Sequence, residues 1–342
     1  MYLKTYPHTL ELKYTFTLSH SSRKTTDIVI VELEHNGVIG YGEASLPPYY
    51  PETQASVIDF INRIPLIQDY DIIDPEIIIQ SVHLLTDRDY AAKAAFDNAI
   101  WDWYGKTIGL PLYALWNLDI ATIPPTSFTI AIDEPDVVRK RAADAHTFSR
   151  LKIKLGSKKD KEIVCAIRDV SELPLYVDVN QGWNDKYFAL DMIGWLKEQN
   201  VVLVEQPLPV GLLDESVWLF ERSPLPVIAD ESVHGIHDID RIQGAFHGIN
   251  IKLMKSGGLS MARGMISYAK KKQMKIMVGC MTESSCAISA ASHLSPLADW
   301  VDLDGSLLVA NDPFTGSALS DGKIMPRQIP GTGATLKYDF GN

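Results

Sequence analysis

The sequence lacks the features that mark membrane-spanning and secreted proteins. No window approaches ~18 consecutive apolar residues, the length that a spanning helix requires. The opening residues, MYLKTYP, contain neither a long apolar stretch nor a small-residue cleavage site, so we expect no signal peptide. The three cysteines, Cys165, Cys280 and Cys286, are too sparse for a disulfide framework. We therefore expect a cytoplasmic protein with no membrane partner.

Basic residues are outnumbered by acidic ones. The 342 residues include 32 Lys and Arg against 43 Asp and Glu, which gives a formal net charge of −11. An acidic chain gains no general attraction to nucleic acid, so we expect no such partner. The first strand is not followed by a GxGxxG motif, which argues against a dinucleotide-binding sheet. The sequence specifies no oligomeric state, and a homo-oligomer stays open.

The first 120 residues combine strand and helix patterns. Residues 26–34 and 38–41 are β-rich and flank a His-Asn-Gly turn, which predicts a hairpin. Residues 90–104 are rich in alanine and place apolar side chains at helical spacing. We predict an α+β capping domain over residues 1–120.

From residue 126 onward, short apolar strands alternate with helical segments at a spacing of roughly 25 residues, which is typical of a (β/α)8 barrel. The strands are largely apolar rather than strictly alternating, as expected for strands covered on both faces. The predicted strands are residues 127–132, 151–155, 175–179, 201–205, 227–229, 249–253, 275–278 and 300–303. We predict a (β/α)8-type barrel over residues 121–308. Residues 309–342 are predicted to return to the capping domain and complete it.

Carboxylates occupy the C-terminal ends of three consecutive predicted strands, the edge at which barrel enzymes place their chemistry. Asp178, Glu205 and Asp230 end strands three, four and five. In a closed barrel they converge, and unpaired carboxylates at short range repel each other. A divalent cation removes that repulsion, and an all-oxygen ligand set suits Mg²⁺. We therefore predict one magnesium ion bound by these three residues.

Lysines flank the predicted metal site. Lys152 and Lys154 are two residues apart on strand two, so both side chains point to one face, and each ammonium disfavours the charge of the other. Lys152 is therefore predicted to tune Lys154 as a base. Lys255 is predicted to act from strand six, on the opposite side of the mouth. Such a pair can remove a proton from one face of a substrate carbon and return it to the other face, while the metal stabilises the enediolate.

Five stretches of the barrel region resemble, in order and spacing, the muconate lactonizing enzyme subgroup of the enolase superfamily. They are LKIKLG (151–156), DVNQGW (178–183), VEQP (204–207), ADES (229–232) and NIKLMKSGG (250–258). YGEA (41–44) and residues 92–113 resemble its capping domain, so the resemblance covers most of the chain. It implies the same three magnesium ligands. It also implies Lys154 and Lys255 as the acid/base pair, with Lys152 tuning Lys154.

Strand eight carries two further carboxylates, Asp302 and Asp304. They provide a cation site away from the metal, and a substrate without an ammonium group would leave them uncompensated. The pair resembles the motif with which dipeptide epimerases receive the α-ammonium of a dipeptide. Arg23 resembles the capping-loop arginine that meets an acidic side chain in Ala-Glu epimerases. Glu283, in the loop after strand seven, is predicted to contact substrate at the same mouth.

These features predict a magnesium-dependent dipeptide epimerase. It would invert the α-carbon of the C-terminal residue of L-Ala-D/L-Glu or a related dipeptide by two-base proton transfer. A cycloisomerase, an o-succinylbenzoate synthase and an N-acylamino acid racemase are the alternatives on the same scaffold. The non-enzyme alternative is a catalytically silent barrel that binds a small ligand, and two opposed bases argue against it. The acidic preference rests on Arg23 alone, so a hydrophobic dipeptide stays open.

Overall fold

The computed structural model describes residues 1–65, 74–338 and 340. The chain opens with a three-stranded antiparallel sheet: β1 (Tyr2–Thr17), β2 (Ser22–His35) and β3 (Val38–Leu46). The predicted hairpin between β2 and β3 is confirmed. Its turn places Asn36 at φ 51° and Gly37 at φ 75°. Two consecutive left-handed residues give the turn whose twist matches that of the paired strands.

Four helices follow this sheet: α1 (Gln54–Asn62), α2 (Pro75–His83), α3 (Tyr90–Ile108) and α4 (Leu112–Leu115). The predicted alanine-rich helix is α3, and it lies directly on β3. A Cβ atom at Gly42 would lie 1.9 Å from the carbonyl oxygen of Ala95. Glycine on the strand and alanine on the helix therefore allow the two backbones to approach closely.

The barrel contains all eight predicted strands, which are parallel and pair in chain order. They are β4 (Phe128–Ile130), β5 (Leu151–Lys154), β6 (Leu175–Asp178), β7 (Val201–Glu205), β8 (Val227–Ala229), β9 (Gly248–Ile251), β10 (Lys275–Gly279) and β11 (Trp300–Asp302). The first and last strands meet where the amide of Ser127 donates to the carbonyl of Val301 at 3.2 Å. This contact closes the ring, so the C-terminal ends of all eight strands surround one mouth.

Helices lie between the barrel strands in the order of a β/α repeat. They are α5 (Pro135–Asp144), α6 (Asp160–Arg168), α7 (Lys186–Glu198), α8 (Leu213–Phe220), α9 (Ile236–Ile242), α10 (Leu253–Ser256), α11 (Leu259–Lys271) and α12 (Ser285–Ser292). Strands β5, β6, β8 and β9 are buried at every residue, including Lys152, Lys154 and Asp178 at the mouth. Among the described residues, no helix combines the length and apolarity needed to cross a membrane.

The residues after the barrel contact the N-terminal region. They include four short strands: β12 (Phe314–Thr315), β13 (Ala318–Ser320), β14 (Lys323–Met325) and β15 (Thr335–Leu336). Val309 bridges Leu12 of β1, and the amide and hydroxyl of Thr332 donate to Asp102 of α3 at 2.8 and 2.9 Å. These contacts support our proposal of a capping domain (1–120), a barrel (121–308) and a returning segment (309–342). Residues 66–73, 339, 341 and 342 of those ranges lie outside the described part.

Candidate active site

Three carboxylates meet at the C-terminal end of the barrel. Asp178 ends β6 and Glu205 ends β7, where the two are paired in register, and Asp230 follows β8. All three side chains are buried, and one oxygen from each lies within 4.8 Å of the others. Three converging carboxylates with no nitrogen or sulfur ligand fit a hard divalent cation. The cluster is therefore able to hold a metal ion.

Gln206 holds this edge of the barrel together, a role that the sequence did not suggest. Its Oε1 accepts the amides of Asp230 at 3.0 Å and Ser232 at 3.1 Å. Its Nε2 donates to the hydroxyl of Ser232 at 2.9 Å. The backbone of Gln206 is left-handed at φ 36°, as is that of Asn180 at φ 44°. Left-handed backbone at residues other than glycine is uncommon and tends to occur at functional sites.

Each carboxylate of the cluster is paired with a lysine. Lys154 Nζ lies 2.5 Å from Asp178 and Lys152 Nζ lies 2.7 Å from Glu205. Asp230 contacts the ammonium groups of Lys252 and Lys255. Burial would raise the pKa of Asp178, but Lys154 and Lys152 together lower it to about 2. Burial and the charge of Asp178 raise the pKa of Glu205 to about 8. The site thus carries compensating charges at very short range.

Lys152 is bound more tightly into this network than the sequence predicted. Its ammonium also lies 3.2 Å from Asp178 and 2.7 Å from Asp302. Burial would lower its pKa, but Asp302, Glu205 and Asp178 raise it well above the ordinary value. Lys152 is therefore held as a cation. Lys152 and Lys154 both contact the carboxylate of Asp178.

A cavity at the mouth of the barrel is lined by Lys154, Lys252 and Asp302, among others, but not by Lys255. This corrects the predicted position of the second base. Its ammonium donates to the carbonyl oxygens of Asp230 at 2.6 Å and of Val233 and Asn250 at 3.2 Å each. It also contacts the Asp230 carboxylate and is only 2% exposed. Four oxygen atoms thus surround the ammonium of Lys255, and Lys255 does not line the cavity that contains Lys154 and Lys252.

Lys252, and not Lys255, faces the cavity from the strand-six side of the mouth. It is the first residue after β9, it lines the cavity, and its Nζ lies 2.6 Å from Asp230. Burial would lower the pKa of Lys252, but Asp230 and Glu205 raise it well above the ordinary value. Lys154 is the last residue of β5, so both lysines lie at the C-terminal end of a barrel strand. That shared position is the sequence signal that could have identified Lys252.

Asp302 and Asp304 line the same cavity but differ in their partners. Asp302 is compensated by Lys152 and accepts the hydroxyl of Ser127 at 2.7 Å. Asp304 accepts the amide of Thr129 at 2.6 Å and forms no ion pair within the described residues. Burial and the charge of Asp302 raise the pKa of Asp304 to about 7. The prediction that both carboxylates lack a cation therefore applies to Asp304 and not to Asp302.

Arg23 lines the cavity from the capping side, whereas Glu283 does not line it. The Arg23 guanidinium is 9% exposed and lies against the rings of Phe16 and Tyr49. Glu283 is buried, and its carboxylate accepts the amide of Met281 at 2.9 Å, within its own loop. Burial raises its pKa to about 7. The predicted contact between Glu283 and a substrate therefore has no support in the geometry.

Two family models together match nearly the whole chain. Residues 3–116 match the mandelate racemase / muconate lactonizing enzyme N-terminal domain, and residues 137–340 match the enolase C-terminal domain-like family. The chain therefore belongs to the mandelate racemase / muconate lactonizing enzyme family of the enolase superfamily.

Several relatives within that family are named as epimerases. An L-Ala-D/L-Glu epimerase of Bacteroides thetaiotaomicron is 50% identical over 96% of this chain and 86% of the relative. An L-Ala-D/L-amino acid epimerase of Pedosphaera parvula is 37% identical over 96% of this chain and 97% of the relative. A solved dipeptide epimerase of Enterococcus faecalis V583, complexed with Mg and L-Leu-L-Tyr, superposes with a TM-score of 0.90. It is 30% identical and covers 97% of this chain and 98% of that chain.

Proposed function

We propose that this protein is a magnesium-dependent dipeptide epimerase that inverts the α-carbon of the C-terminal residue of L-Ala-D/L-Glu or a closely related dipeptide. One observation carries the proposal. Lys154 and Lys252 reach one cavity from different strands and contact the same carboxylate cluster. Two lysines in this arrangement provide one proton donor and one acceptor for the same carbon. The names of the relatives support the same activity.

Magnesium would be held by Asp178, Glu205 and Asp230. When bound, it supplies positive charge that neutralises a substrate carboxylate and stabilises the enediolate formed when the α-proton leaves. The mutual proximity of the three carboxylates supports this assignment. The relative from Enterococcus faecalis is complexed with Mg in its solved structure.

Lys154 and Lys252 carry the proton transfer in this proposal. One lysine, in its neutral form, removes the α-proton from one face of the substrate carbon. The other, as an ammonium, gives a proton to the opposite face, and the two exchange roles in the reverse direction. Lys152 takes no part in the transfer because its three carboxylate contacts hold its proton. It keeps Asp302 and the metal ligands in place.

Asp304 and Arg23 select the substrate. Asp304 has no cationic partner among the described residues, so the α-ammonium of a dipeptide would supply one at the acidic wall. An N-acyl amino acid or a muconate has no ammonium and would leave this buried carboxylate unpaired, which is costly. Arg23, on the other side of the cavity, would bind the side-chain carboxylate of a C-terminal glutamate.

A dipeptide library incubated in deuterated water tests the proposal. L-Ala-L-Glu and L-Ala-D-Glu should each gain one deuterium at the C-terminal α-carbon, detected by mass, and should interconvert, detected by chiral chromatography. The reaction should require added Mg²⁺. Equal rates on free dipeptides and N-acyl amino acids would instead favour the N-acylamino acid racemase.

We also propose that the protein is cytoplasmic. The support is chemical, because all three cysteines are free and one of them, Cys165, is exposed. Unpaired, exposed thiols are typical of proteins kept in a reducing compartment. Fractionation of cells that produce the protein tests this location.

A further inference from the structure

We propose that Thr26 and Thr282 are positioning residues that fix the guanidinium of Arg23 and thereby determine the preference for an acidic C-terminal side chain. The inference rests on the proposed dipeptide epimerase function and deepens it. Neither threonine follows from the motifs of the sequence, since the two lie 256 residues apart.

Hydrogen bonds from one edge of the guanidinium, formed by Nε and Nη2, set its orientation. Arg23 Nε donates to Thr26 Oγ1 at 3.2 Å, and Nη2 donates to Thr282 Oγ1 at 3.1 Å. The two threonine hydroxyls lie 2.6 Å apart and hydrogen-bond to each other. Both threonines are 2% exposed, so water does not compete for these bonds. The planar guanidinium is thus held at two of its three nitrogens.

Aromatic rings limit the remaining freedom of the guanidinium. The Cζ atom of Arg23 lies 5.1 Å from the centre of the Phe16 ring and 5.4 Å from that of Tyr49. Contacts of this kind attract a cation to the ring faces. The hydrogen bonds and the rings together hold the plane of the group, because each constrains a different direction.

One nitrogen of Arg23 is left without a partner. Nη1 is buried and forms no hydrogen bond within the described ranges, 1–65, 74–338 and 340. A buried donor without an acceptor is costly, and a charged donor more so. Arg23 lines the cavity, so a side-chain carboxylate bound there can accept from Nη1. The threonines thus use the other edge of the guanidinium and leave this nitrogen for a ligand.

The threonine pair joins the capping domain to the barrel. Thr26 belongs to β2, whereas Thr282 lies in the loop after β10. That loop is held to the cap a second time, because the hydroxyl of Ser45 donates to the carbonyl of Thr282 at 3.0 Å. A long arginine side chain on a surface loop loses much conformational entropy when it binds a ligand. Here the fold has already ordered Arg23 before substrate arrives.

The test compares two dipeptides that differ only in charge, L-Ala-L-Glu and L-Ala-L-Gln. The substitution Thr282→Val keeps the side-chain shape and removes the acceptor of Nη2. We expect kcat/KM for L-Ala-L-Glu to fall by about tenfold or more, mainly through KM, because a charge-assisted contact is misaligned. The value for L-Ala-L-Gln should change by no more than about twofold. Thr282→Ser retains a hydroxyl at this position, so the ratio of kcat/KM for L-Ala-L-Glu to kcat/KM for L-Ala-L-Gln should equal that of the wild type.

Matched variants separate positioning from general destabilisation. Thr332→Val removes another fully buried threonine hydroxyl, on Asp102, and Thr332 does not line the cavity, so the ratio should stay at the wild-type value. Thr26→Val should reproduce Thr282→Val, and it serves as the test if circular dichroism finds Thr282→Val unfolded. Equal losses on both dipeptides, or failure of Thr282→Ser to restore the ratio, overturn the inference. A wild type that epimerises no dipeptide removes the proposed function and this inference with it.

Discussion

The ammonium of Lys252 lies 2.6 Å from a carboxylate oxygen of Asp230. The first residue is the proposed second base, and the other is a proposed metal ligand. A cation held by Asp230 competes with Lys252 for the same carboxylate. A metal ion bound to Asp230 should therefore weaken the ion pair and help to release the base.

Replacing Lys252 should stop epimerisation. Lys252→Ala removes one of the two proton carriers, so the rate of interconversion should fall by about 10²–10⁴-fold. The partner lysine, Lys154, remains and can still exchange the α-proton of one epimer. Mass spectrometry in deuterated water should therefore detect deuterium gain from only one of L-Ala-L-Glu and L-Ala-D-Glu.

Lys255→Met is the matched control for that experiment. The substitution removes a buried cation from several oxygen partners, so it should destabilise the fold by about 3–5 kcal/mol, measured by thermal or chemical unfolding. The folded enzyme should still exchange the α-proton of both epimers, because Lys154 and Lys252 remain. Exchange restricted to one epimer in Lys255→Met, with normal epimerisation in Lys252→Ala, would reverse the two assignments.

Magnesium should bind and stabilise the wild-type protein. A ligand at 100 times its Kd stabilises the native state by about 2.7 kcal/mol, so saturating Mg²⁺ should raise the Tm. Glu205→Gln removes one ligand charge, and calorimetry should detect weaker Mg²⁺ binding and a smaller Tm increase. Full turnover by thoroughly chelated wild-type protein would contradict the metal assignment.

Acetylation of the dipeptide amine should impair turnover through Asp304. Loss of the ammonium removes the only cation proposed for this carboxylate, so kcat/KM should fall by at least about tenfold, or ~1.4 kcal/mol. Asp304→Asn should reduce the difference in kcat/KM between free and acetylated dipeptides, because the neutral Asn side chain needs no cationic partner. A difference of unchanged size in Asp304→Asn would place the ammonium elsewhere.

Glu43 should make stability depend on pH. Its buried carboxyl accepts the amide of Ser284 at 3.0 Å, and burial together with the charge of Glu283 raises its pKa from 4.5 to about 8. The folded state therefore holds the proton more tightly, and that stabilisation is present below pH 4.5 and is lost as the pH rises through about 8.

Glu43→Gln mimics the protonated form and should remove this pH dependence. The Tm of the variant relative to that of the wild type should rise by ~2 °C or more between about pH 5 and about pH 8. Differential scanning calorimetry at matched ionic strength measures it. A constant difference across that range would mean that Glu43 does not titrate there.

The barrel could be predicted because its period is a local property of the sequence. The sequence pattern predicted all eight barrel strands. Because these strands are parallel, the carboxylates that end β6 and β7 lie at the same mouth. The proposed second base differs from the sequence prediction because β9 ends at Ile251 and not at the predicted residue 253. Lys252 therefore directly follows the last residue of the strand, and Lys255 lies within the helical turn of α10.

Other features depend on contacts that no local pattern contains. Glu283 folds back onto the amide of Met281, and only the conformation of the whole loop determines that bond. Lys152 of β5 contacts Asp302 of β11, and only β4 lies between these two strands in the closed ring. The pairing exists because the first and last strands meet. The orientation of Arg23 depends on Thr282, which is 259 residues away. Sequence patterns predicted most of the charged residues at the mouth, but not their partners, and they wrongly included Lys255 and Glu283.

The bond from Arg23 to Thr282 also bears on how this protein can be recombined with its relatives. The guanidinium belongs to the cap, but one of its two hydroxyl acceptors belongs to the barrel. A chimera that imports a foreign cap carries the arginine without the loop that orients it. We therefore expect a chimera to acquire the substrate preference of a homologue only when residues 280–284 are exchanged together with the cap. The segments that determine specificity thus come from both sides of the domain boundary.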